Sequence, residues 1–168
     1  MMIRQIDLHQ SLSVIGALVR HSNAPVAKQF NLTPKNCPTH PTFCDDNSLL
    51  AKLNHPGVIC LGGYINEALV GFVALVPRKR RVYELTRLCV AQEQRGLGFG
   101  NMLLDESLRI LRKQKARKIA INIIDANEGL KRWYIRYGFR ETAKREYDSV
   151  PFVVCEMELK ISPLVCSR

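Results

Sequence analysis

The chain of 168 residues contains no apolar run approaching the roughly 18–20 residues that a membrane-spanning helix needs. Its one early hydrophobic stretch, Leu12–Val19, is approached through Asp7 and His9 and followed by no small-x-small cleavage site. It therefore reads as a helix rather than a secretion signal, and a cytoplasmic protein without a membrane partner is expected. Six cysteines occur without a Cys-x-x-Cys pair. Cys60, Cys89 and Cys155 lie in apolar, strand-like runs and read as buried thiols. The one cluster with ligand-like spacing, Cys37, His40 and Cys44 with His55 beyond, falls in a proline-broken loop, and no metal is assigned to it. Acidic residues are scarce, 15 against 25 Lys and Arg, giving a formal charge of +10. Arg78-Lys-Arg-Arg81 and the Arg109–Lys118 region carry much of that excess. Such runs are by default solvated surface, but their field also favours a polyanionic ligand or an acidic acceptor. Aromatic residues make up only 7%, and there is no RNA-binding aromatic motif, zinc finger or heptad basic region, so nucleic acid is not the expected partner. No internal repeat or low-complexity segment divides the chain; with 46% hydrophobic and 24% charged residues it reads as one globular domain over residues 1–168.

Between Leu88 and Gly100 the chain reads Leu-Cys-Val-Ala-Gln-Glu-Gln-Arg-Gly-Leu-Gly-Phe-Gly. An apolar strand ends at Val90, a polar loop follows, and three glycines alternate where a helix begins. Glycine permits close backbone approach to a bulky anion. The free N–H groups and dipole of a helix start favour negative charge. Phe99, Leu103, Leu104, Leu108 and Leu111 then recur at three- to four-residue spacing, the signature of one buried helix face. No Lys follows Gly100, which excludes a Walker loop, and Gly-x-Gly-x-Gly after Arg95 is not the dinucleotide fingerprint. A tight strand-to-helix turn is the plain alternative. A second segment reads Asn127-Glu-Gly-Leu-Lys-Arg-Trp-Tyr-Ile-Arg-Tyr-Gly-Phe139.

Taken together these segments resemble the GNAT superfamily of N-acetyltransferases. Arg95, Gly98 and Gly100 match its Gln/Arg-x-x-Gly-x-Gly/Ala motif; Asn127, Tyr134, Gly138 and Phe139 match its later Asn, Tyr and Gly-Phe positions. The resemblance covers residues 83–140 well and the first third only in general layout. Leu130 stands where the family usually has a small residue. The resemblance implies an α+β fold: a mixed, mostly antiparallel sheet flanked by helices, with a V-shaped splay between two central parallel strands. It implies acetyl-CoA as donor. The pantetheine arm would lie along the main chain of Leu88, Cys89 and Val90, with an amide there facing the thioester oxygen. The pyrophosphate would rest on the main-chain amides of Arg95, Gly96, Leu97, Gly98, Phe99 and Gly100. Asn127 would contact the pantetheine arm, a helix cap being the plain alternative.

Acetyl transfer to an amine requires a neutral amine, a polarised carbonyl and a proton for the departing thiolate. By the same resemblance Tyr134 would be the acid, since a phenol with pKa near 10 is protonated at neutral pH; a core aromatic on the face shared with Leu130 is the alternative. The resemblance also makes Glu84, six residues before Val90, the candidate base, acting through water; alternation places it with Thr86, Leu88 and Val90 on one face. An edge charge paired with Arg87 or the basic loop is the competing reading. Cys89, between apolar neighbours, is not expected to be a nucleophile.

Along the chain, a strand is expected at Met2–Leu8, helices at Ser11–His21 and Ala24–Phe30, a loop through Asn31–Phe43 with a turn at Thr33-Pro34, and a helix ending at Leu53. Strands follow at Val58–Tyr64, Ala68–Val76 and Arg81–Val90, then a helix at Gly98–Lys115 and a strand at Lys118–Ile124. A helix at Asn127–Tyr137 precedes strands at Phe139–Tyr147 and Pro151–Ile161. In the resembled family, acceptor pockets come from segments equivalent to Val26–Asn54 and Tyr147–Phe152. Nothing there names the acceptor, a small-molecule or peptide amine, and a homodimer stays open. A coenzyme-A-binding regulatory module without turnover and a basic nucleic-acid-binding domain are the alternatives carried forward.

Overall fold

The computed structural model describes residues 1–162. Its strands are β1 (Met2–Gln5), β2 (Ile59–Ile65), β3 (Ala68–Arg78), β4 (Val82–Val90), β5 (Lys118–Ile124), β6 (Arg140–Arg145) and β7 (Val154–Lys160). Its helices are α1 (Leu8–Gln29), α2 (Asp46–Leu53), α3 (Phe99–Lys113) and α4 (Glu128–Arg136). The strands hydrogen-bond in the order β1-β2-β3-β4-β5-β7-β6, a seven-stranded mixed sheet of the expected class. Two compact units share the described residues: Met1–Val76 with Leu85–Ser107, and Pro77–Glu84 with residues 108–162.

In the first unit, β1 and β3 flank β2, each antiparallel to it. Asn66 and Glu67 (φ 46° and 64°) make the tight turn between β2 and β3, a left-handed pair that suits the twist of a two-residue hairpin. Ile15 and Val19 of α1, Leu49 and Leu53 of α2, and Phe72 and Ala74 of β3 are buried in one core. Leu103 of α3 lies so close over β3 that a Cβ on Gly71 would meet its Cδ1 at 2.8 Å.

Where two helices were expected on either side of residues 22–23, one runs unbroken from Leu8 to Gln29 with Pro25 inside it. The physical reason is a donor from elsewhere. Proline lacks an N–H, so the His21 carbonyl four residues earlier loses its helical partner. Gln92 Nε2 donates to that oxygen at 2.8 Å. The first strand is also shorter than expected, ending at Gln5 because Asp7 caps α1, its carboxylate accepting from the His9 and Gln10 amides. Asp45 caps α2 in the same way. Thr33 and Asn36 exchange side chain-to-amide bonds in the expected turn, while a turn of 3₁₀-helix forms at Pro41–Phe43, with proline at its start and His40 as its cap.

In the second unit β5 pairs antiparallel with β7 along its whole length, and β7 with β6. The first residues of β4, Val82, Tyr83 and Glu84, pair in parallel with Lys118, Ile119 and Ala120. Ile119, Met157 and Phe139 are almost fully buried here. No helix among the described residues is long and apolar enough to cross a membrane.

Candidate active site

The glycine bend belongs to the first unit. After β4, a turn of 3₁₀-helix at Gln92–Gln94 leads to Gly96 and Gly98, both at φ +79°. That left-handed conformation explains the glycines, because a Cβ built on either meets nothing within 4 Å. Met102 N donates to Gly98 O at 3.1 Å, the first bond of α3, so Gly98 sits at the cap position. It has no side chain with which to accept from the leading amides of the helix. Leu97, between the glycines, is 62% exposed.

The Arg95 side chain braces this bend. Its Nη2 donates to Ser22 O of α1 and its Nε to Val90 O at 3.3 Å. Together with Gln92 on the His21 carbonyl, it pins the loop to the part of α1 opened by Pro25. Sequence reasoning missed this bracing by Gln92 at Pro25; a proline inside an apolar helical pattern, with a Gln on the glycine loop, was the available signal.

Leu88, Cys89 and Val90 end β4 as expected, but the even alternation from Glu84 to Val90 does not hold. Arg87 has φ +59°, a left-handed residue that interrupts the extended strand before Leu88. Leu85 and Cys89 are buried while the others are half-buried. Burial pushes the Cys89 thiol up to about 12, so the sulfur stays protonated and is no nucleophile. Cys60 and Cys155 are likewise buried, their thiols each raised to about 11 chiefly by burial. Cys37, His40 and Cys44 form no convergent ligand group among the described residues. Cys44 Sγ donates to Asp45 O at 3.5 Å, and His40 Nδ1 accepts from Thr42 N at 3.3 Å.

That bond places the proton of neutral His40 on Nε2. Burial, with the Arg87 charge adding to it, lowers the imidazole from 6.5 to about 4. The unfolded chain therefore takes up a proton from about pH 6.5 downward, but the folded one only near pH 4, so stability is complete above pH 6.5 and is lost as pH falls. Urea unfolding at pH 7 and pH 4.5 is expected to show wild type losing about 2–3 kcal/mol more than His40→Asn, which keeps a cap but cannot titrate. Equal losses in both proteins contradict this.

Tyr134, Asn127 and Glu84 belong to the second unit. Asn127 Oδ1 accepts from Leu130 N at 3.2 Å and so caps α4, leaving the amide nitrogen to donate elsewhere. At the other end Phe139 N donates to Tyr134 O at 3.0 Å and Gly138 N to Ile135 O at 2.9 Å, a Schellman closure with Gly138 at φ +101°. This closure folds Phe139 back against Tyr134, ring centroids 5.1 Å apart and edge-on, while Trp133 meets the same ring at 4.7 Å. The Gly-Phe pair thus fixes one ring. Tyr134 is 5% exposed, and burial raises its phenol well above the ordinary value, holding the proton on Oη.

Lys131, one turn before Tyr134, is buried; its ammonium bonds Asp125 and stands 3.6 Å from Glu128 and 3.9 Å from Glu141. Asp125, Glu141 and Cys155 are close enough to suggest a metal site, but the Lys131 and Lys144 ammoniums already neutralise the carboxylates. The cluster ties α4 to the end of β5 and to β6. Glu84 receives Arg78 Nε at 2.9 Å and Arg78 Nη2 on the same oxygen, Oε2. Arg78 opens the basic run, so Glu84 is paired in the way the competing reading expected.

Over residues 26–139 the sequence matches the model described as the acetyltransferase (GNAT) family. No curated protein matches it. Among solved structures it is similar to the ribosomal-protein-S18-alanine N-acetyltransferase from Escherichia coli, with 15% identity, TM-score 0.77 and 99% of this chain and 97% of that one covered. It is similar to the ribosomal-protein-alanine N-acetyltransferase from Brucella melitensis at 20% identity and TM-score 0.73, covering 95% and 99% of the two chains. A PaiA N-acetyltransferase from Thermoplasma acidophilum, solved in complex with coenzyme A, matches at 18% identity and TM-score 0.70, covering 95% and 98%.

Proposed function

Because the chain belongs to the acetyltransferase (GNAT) family, we propose that it transfers an acetyl group from acetyl-CoA directly to a primary amine, residues 1–168 forming one N-acetyltransferase domain. Acetyl-CoA supplies the activated thioester carbonyl and a phosphate-rich handle far from the reacting atom. The observation that carries the reading is the open bend at Gly96 and Gly98, with left-handed backbone and room for a Cβ at both positions. Main-chain amides from Arg95 to Gly100 hold the pyrophosphate, and those of Leu88, Cys89 and Val90 orient the pantetheine arm. Holding the donor by remote contacts supplies much of the entropic advantage of the reaction.

Tyr134 Oη holds the proton that the leaving sulfur needs, and Asn127 offers its amide N–H to the pantetheine arm. Glu84 is not given the base role, because the Arg78 guanidinium on its Oε2 gives it a pairing task of its own. Instead the amine enters neutral or yields its proton to water. Accordingly Glu84→Gln is expected to keep kcat within about threefold, well short of the ~10²-fold or more a general base contributes. A hundredfold fall with the fold intact restores Glu84 as the base.

The relatives named include acetyltransferases of a ribosomal protein's alanine, which favours including peptides with a free N-terminal alanine among the acceptors tried. Thiol release from acetyl-CoA, followed across small amines, amino acids, aminoglycosides and N-terminal peptides, tests the proposal. Turnover with at least one primary amine is expected. Tight acetyl-CoA binding without turnover on any acceptor replaces the proposal with a regulatory coenzyme-A-binding module.

A further inference from the structure

The second unit contains a cavity that acetyl transfer leaves unused and that shares no residue with the glycine bend. Its volume is about 780 Å³, and among the described residues no acidic one lines it. Arg112, Lys113 and Lys115 reach it from the end of α3 and the turn beyond. Arg117 and Lys118 come from the start of β5, Arg81 from just before β4, and Lys160 from the end of β7. Main-chain bonds from Arg117 N to Arg81 O (2.8 Å) and from Ile161 N to Arg117 O (2.9 Å) fasten three of these segments together. The charges are therefore held on a fixed frame.

An ordinary solvated surface does not require this arrangement. The negative end of the α3 dipole accounts for Arg112 and Lys113 in the last turn, but not for cations from three other segments. Lys118 stands directly opposite Lys160 in the β5–β7 register, a like-charge pairing that opposes strand association. Glu158 relieves it in part by pairing with Lys118 at 2.6 Å. Two of the cations also sit on disfavoured backbone, Arg81 at φ 59° and Lys115 at φ 53°. Lys115 closes α3 as Gly138 closes α4: Ala116 N donates to Leu111 O and Lys115 N to Arg112 O, both at 3.0 Å. A lysine occupies the place where glycine would be unstrained.

We propose that this cavity binds a small anion carrying several phosphate groups. Guanidinium groups match phosphate oxygens two at a time, and three arginines line the cavity. Its volume falls in the range of small-molecule sites, about 300–1,000 Å³. Among the described residues no aromatic ring lines it to stack a base, which sets it apart from a groove for single-stranded nucleic acid.

The test is calorimetric titration of the full chain with inorganic tripolyphosphate at physiological ionic strength, comparing wild type with Arg117→Gln/Lys160→Gln. Both side chains are exposed, and thermal unfolding of the variant checks that the fold is kept. Wild type is expected to bind, with affinity falling steeply as salt rises. The double variant is expected to bind at least about tenfold more weakly, each lost charge-assisted contact being worth roughly that factor. Unchanged affinity in the variant places the anion elsewhere, on the glycine bend for instance, and overturns the proposal. No binding by wild type overturns it too. A single-stranded RNA 12-mer is the third arm: if it binds through Arg117 and Lys160 while tripolyphosphate neither binds nor competes, the ligand is a nucleic-acid backbone and the small-anion proposal is wrong.

Discussion

Replacing Tyr134 by Phe is expected to lower kcat for acetyl transfer by about a hundredfold or more, the usual contribution of a general acid. The Kd for acetyl-CoA should change by less than about threefold, because the coenzyme's phosphates are held elsewhere in the proposal. The substitution removes one hydroxyl and keeps the ring that Trp133 and Phe139 pack against edge-on, so folding is not expected to fail. The environment of the phenol fixes its protonation state. Burial disfavours the phenolate, so Oη keeps its proton well beyond the pH at which an exposed tyrosine loses it. Hence kcat in wild type is expected to show no falling limb from about pH 7 to about pH 9. Stability has its own sign: the unfolded chain releases this proton from about pH 10 upward while the folded one retains it, so the contribution is complete below that pH and is lost above it. Unchanged kcat in Tyr134→Phe would remove the acid role and leave Tyr134 as a core aromatic.

The second large effect concerns the bend. Gly98→Asn is expected to weaken coenzyme A binding by about tenfold to a hundredfold while shifting Tm by only a few degrees. Asparagine is among the few residues with a side chain that tolerate left-handed backbone. No neighbouring atom lies within 4 Å of the added Cβ, so the fold itself does not resist the substitution. A phosphate seated on the amides would meet the new side chain, and the asparagine carbonyl would compete for the leading N–H groups of α3. Full coenzyme A affinity in a folded Gly98→Asn protein would show that the phosphates lie elsewhere.

Features read from local chemistry were legible in the sequence. The period of Phe99, Leu103, Leu104, Leu108 and Leu111 marked α3, and the apolar run Ile-Ala-Ile-Asn-Ile-Ile marked the Lys118–Ile124 strand. Features that depended on a partner distant in sequence were not. Two helices, Ser11–His21 and Ala24–Phe30, were expected where one runs, because the donor that satisfies the His21 carbonyl, Gln92, is 71 residues away. Arg87 looked like one more alternating strand residue, since nothing local requires an arginine to take φ +59°. Glu84 could be read as a base or as a charge paired with Arg87 or the basic loop, and only coordinates place the Arg78 guanidinium on its carboxylate. Gly138 and Phe139 could be matched to a motif from sequence, but their physical task, closing α4 and bracing the Tyr134 ring, needed coordinates. The strongest charge feature was visible as composition; its gathering around one cavity was not.

The central claim is that backbone amides bared by the bend hold a diphosphate. Backbone ¹H–¹⁵N NMR of the labelled protein titrated with coenzyme A tests it most directly. The account predicts that the largest shifts fall on the Gly96, Gly98, Phe99 and Gly100 amides and saturate with a single site. Perturbations that leave these four amides in place while coenzyme A binds, or no perturbation at all, would contradict it.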